Sequence, residues 1–292
     1  TIPNIMYLTR VSRNMETGFL YVLNISFKNL IKEWYADSKQ KYANSDEGRE
    51  QPQLTPLIKK PKKTVIFDQV NLDPSGKYTA WVTNNSGQIK VWLYNHQLNK
   101  SRVIFKQGHR LDEKNDLSYP RIAFHPTRET MGLITELKGE IRFYQIDLNT
   151  RKRTWQYIYG FQKIVDFSYS HDGRDLVMSA IRKGQSDIYV FNVASAAAQQ
   201  ITNDIYDDLY PVFINNSKQI VFSSNRINDT LVENPKLEMP GSPKTHDLFL
   251  YDYAGKKDVL RRITNTPLAD ETDPREYAKG QISFLSDENG IF

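Results

Sequence analysis

The residues best placed to do chemistry are carboxylates that recur ahead of proline: Asp116-x-x-x-Pro120, Asp207-x-x-x-Pro211 and Asp270-x-x-x-Pro274, with Asp208, Glu271 and Asp273 beside them. Gathered at one point of a fold, such acids form a partial ring that binds a cation or a basic partner segment. Kept apart, each Asp bonds the N–H groups of its own turn and each Pro starts a strand. The five histidines, His96, His109, His125, His171 and His246, stand far apart, and no His-Glu-x-x-His pair occurs. Gly-x-Ser-x-Gly, Gly-x-x-x-x-Gly-Lys and Gly-x-Gly-x-x-Gly are absent as well. With zero cysteines, disulfides, thiolate metal sites and a cysteine nucleophile are excluded. The sequence thus offers no catalytic, cofactor-binding or metal motif, and its acids read either as turn caps or as contacts for a cation or a basic partner.

The elements that would position these acids repeat along the chain. Asp73-Pro74-Ser75-Gly76 leads to Trp81, His125-Pro126-Thr127-Arg128 to Leu133, Ser170-His171-Asp172-Gly173 to Met178, and Ile214-Asn215-Asn216-Ser217 to Phe222. The turns are 52, 45 and 44 residues apart, close to the roughly 40–45 of a four-stranded propeller blade. A β-branched and aromatic strand follows each hairpin at Ile89–Tyr94, Ile141–Ile146, Ile188–Asn192 and Leu248–Asp252. A fourth strand then follows at Arg102–Phe105, Thr154–Tyr157, Gln199–Thr202 and Arg261–Thr264. The reading is mainly β: a β-propeller of four-stranded blades over 64–292, preceded by a short α-helical segment. A fifth unit begins at Gln281, so about four and a half blades are present and the chain reads as a piece of a longer polypeptide.

Residues 1–45 change period. Ser26 caps a run with Phe27, Leu30, Ile31, Trp34 and Tyr35 on one helical face, and shorter helices are expected over Ile2–Thr9 and Thr17–Leu23. Trp34 is expected to be a buried anchor. Residues 46–63 read as a linker ending in Lys59-Lys60-Pro61-Lys62-Lys63. No aromatics interleave with these lysines and the net charge is only +5, so nucleic acid is not implied. No apolar run reaches the length of a transmembrane helix. In the fourth unit an insertion, Arg226 to His246, carries Asn228 and Pro240 and is expected to loop out as a partner-contact segment.

Ser170-His171-Asp172-Gly173-Arg174 with Asp187-Ile188-Tyr189-Val190 and Gln200-Ile201-Thr202 resembles the WD40-like repeats of TolB-type propeller proteins. Asp247-Leu248-Phe249-Leu250 with Arg262-Ile263-Thr264 resembles them next best. Gly18-Phe19-Leu20-Tyr21-Val22-Leu23, Ser26-Phe27, Leu30 and Glu33-Trp34 resemble the end of a zinc-peptidase-like helical domain found upstream of such repeats in Bacteroidetes-type envelope proteins. The resemblance implies residence in the periplasm or at the outer membrane, protein partners in the envelope, and a non-catalytic interaction scaffold. The alternative it leaves open is a substrate-gating propeller of a zinc peptidase whose catalytic site lies upstream.

Overall fold

In the computed structural model, residues 1–48, 56–58, 63–110, 117–227, 229, 231, 245–255 and 260–288 are described. The chain divides into two compact units, Thr1–Lys59 and Lys60–Phe292.

In the second unit, alternating apolar residues and tight turns produce four antiparallel sheets of four strands each. They are β1–β4 (Val65–Leu72, Tyr78–Asn85, Gln88–Asn95, Lys100–Gln107), β5–β8 (Arg121–Phe124, Thr130–Leu137, Glu140–Asp147, Arg153–Tyr157), β9–β12 (Lys163–Tyr169, Asp175–Arg182, Gln185–Asn192, Ala198–Gln200) and β13–β16 (Asp208–Ile214, Gln219–Ser224, Asp247–Tyr251, Leu260–Arg262). Each sheet keeps its strands in sequence order, as a propeller blade does. The four marker residues hold one register, with Trp81 opposite Trp92, Leu133 opposite Tyr144, Met178 opposite Tyr189 and Phe222 opposite Phe249. All four are buried.

The turns work as their residues dictate. Gly76 and Gly173 both take φ of +72°, which glycine adopts without a Cβ clash. A Cβ on Gly173 would also lie 2.2 Å from the His125 ring of the preceding blade, so this glycine permits close blade packing. The core lies in layers between consecutive blades. Val91, Leu93 and Phe105 meet Leu133 and Ile146; Phe143 and Ile158 meet Phe167 and Met178; Val177 and Val190 meet Phe222 and Phe249.

The fifth unit is a two-stranded sheet, β17 (Glu271–Ala278) and β18 (Gln281–Ser286). It begins at Glu271 rather than at the expected Gln281, because its inner strand, Glu-Thr-Asp-Pro-Arg-Glu-Tyr-Ala, hides its period under charge. Pro211 and Pro274 lie inside β13 and β17, where the ladder register shifts, so the missing N–H falls on a bulge. Pro120 alone precedes its strand, β5.

The first unit holds α1 (Ile2–Ser12), α2 (Met15–Leu23) and α3 (Phe27–Ser45). Asn14 and Ser26 cap α2 and α3 by accepting the N–H of Glu16 at 2.9 Å and of Asn29 at 3.3 Å. Trp34 is 63% exposed and is not the expected buried anchor. Gly18 is the helices' buried residue among those described, so the apolar face of α3 has too little helical surface to pack against. Among the described residues, no helix is long and apolar enough to cross a membrane.

Candidate functional site

The inner strands of all five blades bring polar side chains to one cavity of about 250 Å³. Asp68 comes from β1, Arg121 from β5, Asp166 from β9, Tyr210 from β13, and Asp273 and Arg275 from β17. Bulges aim them there: Gln69, Tyr210 and Asp273 occupy positive φ of 47°, 51° and 49° at register shifts of β1, β13 and β17, and all three line the cavity. Gln69 then latches blade 1 to blade 2, donating to the Pro120 carbonyl at 2.8 Å and accepting from the Ile122 N–H at 3.0 Å.

The charges in the cavity are partly matched. Arg275 lies 2.7 Å from Asp273, and Arg121 lies 3.7 Å from Asp68. Burial pushes the Asp166 carboxyl up to about 6, against the opposing pull of Arg121 and Arg275, and Asp273 adds to the rise. Tyr210 is also raised, by burial first and then by Asp166. The Arg121 Nε is buried with no hydrogen-bond partner. The lining therefore presents both signs of charge and an open donor, which suits the capture of a polar chain segment.

Of the acids singled out in the sequence, Asp273 lines this cavity. Asp207 is exposed, and its backbone N–H donates to Asn225 at 2.9 Å. Asp270 accepts from the N–H and the Nδ1 of His246 at 2.8 and 2.9 Å, so it bonds the residue ahead of β15 rather than its own turn. Glu271 is buried and accepts from Thr266 at 2.7 Å. Asp116, Asn228 and Pro240 lie outside the described residues. Asp68, Arg121, Asp166 and Arg275 carry no sequence signal of their own beyond a charge in the strand ahead of a turn.

Asp208 belongs to a second constellation, between blades 3 and 4. Asp187, Asp204 and Asp208 are buried with carboxylate oxygens within 4.8 Å of one another, a grouping able to hold a cation. That cation is a side chain. Arg226, fully buried, donates from Nη2 to both oxygens of Asp208 at 2.8 Å and lies 3.2 Å from Asp204. Its guanidinium sits 5.6, 5.5 and 5.5 Å from the ring centres of Tyr206, Phe222 and Phe249. Burial, reinforced by Asp208 and Asp204, raises Asp187 to about 7. Burial and then Asp208 raise Asp204 to about 6. The cluster thus acts as an internal fastening between blades, with Arg226 in the position a metal would take.

No family model matches the chain. Over 82 residues, 27% of this chain and 17% of the relative, it is 36% identical to the Tol-Pal system protein TolB of Gluconobacter oxydans. The structure of TolB from Acinetobacter baumannii superposes with a TM-score of 0.53 at 17% identity, over 77% of this chain and 52% of that one. The fold is TolB-like. A prolyl endopeptidase structure also superposes, with a TM-score of 0.50 at 12% identity, over 78% of this chain and 33% of that one. The chain thus spans about half the length of the TolB structure and a smaller part of the other two.

Proposed function

We propose that the propeller is a non-catalytic protein–protein interaction module of a periplasmic or outer-membrane-associated envelope protein, receiving a partner segment at the inner-strand cavity. The observation that carries this reading is the convergence of Asp68, Arg121, Asp166, Asp273 and Arg275 from four different blades. Such a lining binds a peptide bearing charges of both signs and supplies no nucleophile–base pair. The name of the Gluconobacter relative, a Tol-Pal system protein, supports an envelope setting with protein partners. The insertion carrying Asn228 and Pro240 is proposed as a second contact segment.

The test is co-purification by the full-length protein carrying Arg121→Glu with Arg275→Glu. Loss of bound partner with an unchanged melting temperature is expected. Unchanged partner recovery overturns the cavity as the docking point.

A second reading is that the propeller gates substrate for a zinc peptidase whose site lies upstream, with residues 1–45 as the end of that domain; the endopeptidase superposition supports only its coarser part, a propeller of the kind joined to a peptidase. Chelator-sensitive peptide hydrolysis by the full-length protein would select it over the scaffold reading.

A further inference from the structure

The rim between blades 1 and 2 holds a cleft of about 580 Å³, separate from the inner-strand cavity. Four cations line it, Lys77, Lys100, Arg102 and Arg151, and no carboxylate does. Nearby acids are already committed. Glu129 pairs with Lys77 at 2.7 Å, and Asp147 accepts the N–H groups of Thr150 and Asn149 at 2.6 and 3.0 Å. Lys100, Arg102 and Arg151 make no ion pair among the described residues.

The rest of the lining is mixed, with Asn95, Gln97, Ser101 and Asn149 beside Tyr78 and three leucines. Leu148 and Leu93 are buried at its floor, and Leu98, 66% exposed, stands at its edge. Arg102 is held in place by donating to the Leu148 carbonyl, which fixes one cation in the cleft. Three cations without an ion pair beside the exposed Leu98 suit a ligand with an anionic head and an apolar body. The volume falls within the roughly 300–1,000 Å³ of small-molecule sites.

We infer that this cleft binds a phosphate-bearing amphiphile, with Lys100, Arg102 and Arg151 on the phosphate and Leu98 against the apolar part. The ligand chemistry follows from the two features together, since guanidinium and ammonium groups recognise phosphate and Leu98 gives nothing to a free anion. This inference is independent of partner docking at the inner-strand cavity.

The experiment is calorimetric titration of the protein with dihexanoylphosphatidic acid, dihexanoylphosphatidylcholine and inorganic phosphate, each kept below any micelle threshold. The phosphatidic acid is expected to bind, weakening with added salt, and the other two to bind at least about tenfold more weakly, a difference of ~1.4 kcal/mol. Lys100→Glu with Arg151→Glu should weaken the phosphatidic acid by a further factor of about ten or more. Both positions are exposed, and a circular-dichroism melt confirms folding. Leu98→Ala should weaken the lipid and leave inorganic phosphate unchanged. Equal binding of the choline ester would overturn the role of the cations. Inorganic phosphate binding as tightly as the lipid would show a free-phosphate site and overturn the amphiphile. Absence of binding, or full binding by the double charge reversal, would overturn the site.

Discussion

The junction of blades 3 and 4 and the junction of blades 4 and 5 are built on one plan and fastened by different chemistry. In both, an acid in the first residues of the third strand, Asp187 or Asp247, accepts the backbone N–H of a residue in the following connection, Asp204 at 3.2 Å or Thr266 at 3.0 Å. In both, a serine of the second strand, Ser179 or Ser223, donates to the carbonyl of the first residue of the next blade, Asp208 or Glu271. At blades 3 and 4 the connection then supplies a carboxylate, Asp204, and the cluster needs the buried Arg226. At blades 4 and 5 it supplies a hydroxyl, Thr266, which donates to Glu271 at 2.7 Å, Ser286 adds a second bond at 3.1 Å, and the ion pair of Asp247, to Arg262 at 2.8 Å, stays within blade 4. One backbone frame therefore accepts either an ionic or a hydroxyl fastening. The ionic one fails harder when one member is removed, because a buried charge is then left uncompensated.

The largest expected effect is at Arg226. Arg226→Ala leaves buried carboxylates uncompensated and should cost about 3–5 kcal/mol, read as a lowered urea midpoint with unchanged slope. A loss below ~1 kcal/mol would show that the carboxylates already sit protonated and that the junction is not ionic.

Proton linkage separates the two junctions next. Asp187 is raised from its ordinary 3.8 to about 7, so between those values the folded junction keeps a proton that the unfolded chain has released. Its stability contribution is therefore fullest near the acid end of that window and is lost as pH rises toward 7. Amide exchange at Ile188 and Asp204 should quicken as pH climbs through this range, once corrected for intrinsic rates. Asp187→Asn should flatten the trend, with Gln200 turning its amide to match. A trend of the opposite sign would break the comparison.

Thr266→Val at the other junction should cost about 0.5–1.5 kcal/mol, with little change between acid and neutral pH in a denaturant melt. The smallest effect is expected at Trp34. Because it is exposed, Trp34→Ala should stay within about 0.5 kcal/mol, and a cost of several kcal/mol in the same melt would mean α3 is packed in solution.

The blades were legible because turn residues and period-two strands are local signals, and the four marker residues kept their spacing. The inner strand Glu271–Ala278 was not legible, since charged residues facing the cavity replace the apolar alternation. The same holds for the site. Asp273 could be picked out beside its proline, whereas Asp68, Arg121 and Asp166 come together only through blade closure and bulge geometry. Asp187 stood in a recognisable strand motif, yet Asp204 and Asp208 come from a second stretch and Arg226 from a third, and nothing local marks them as its neighbours. Trp34 misled because an amphipathic face records what a helix can bury, and the partner surface is not part of its sequence.

Cross-linking from inside the inner-strand cavity is the most direct test of partner capture there. A photoreactive phenylalanine at Tyr210, against a control at the exposed Asp207, would be activated in cells making the full-length protein. The account predicts one discrete adduct from position 210 that disappears when Arg275→Glu is added, and none from position 207. An adduct of equal yield from both positions, or one indifferent to Arg275→Glu, would contradict it.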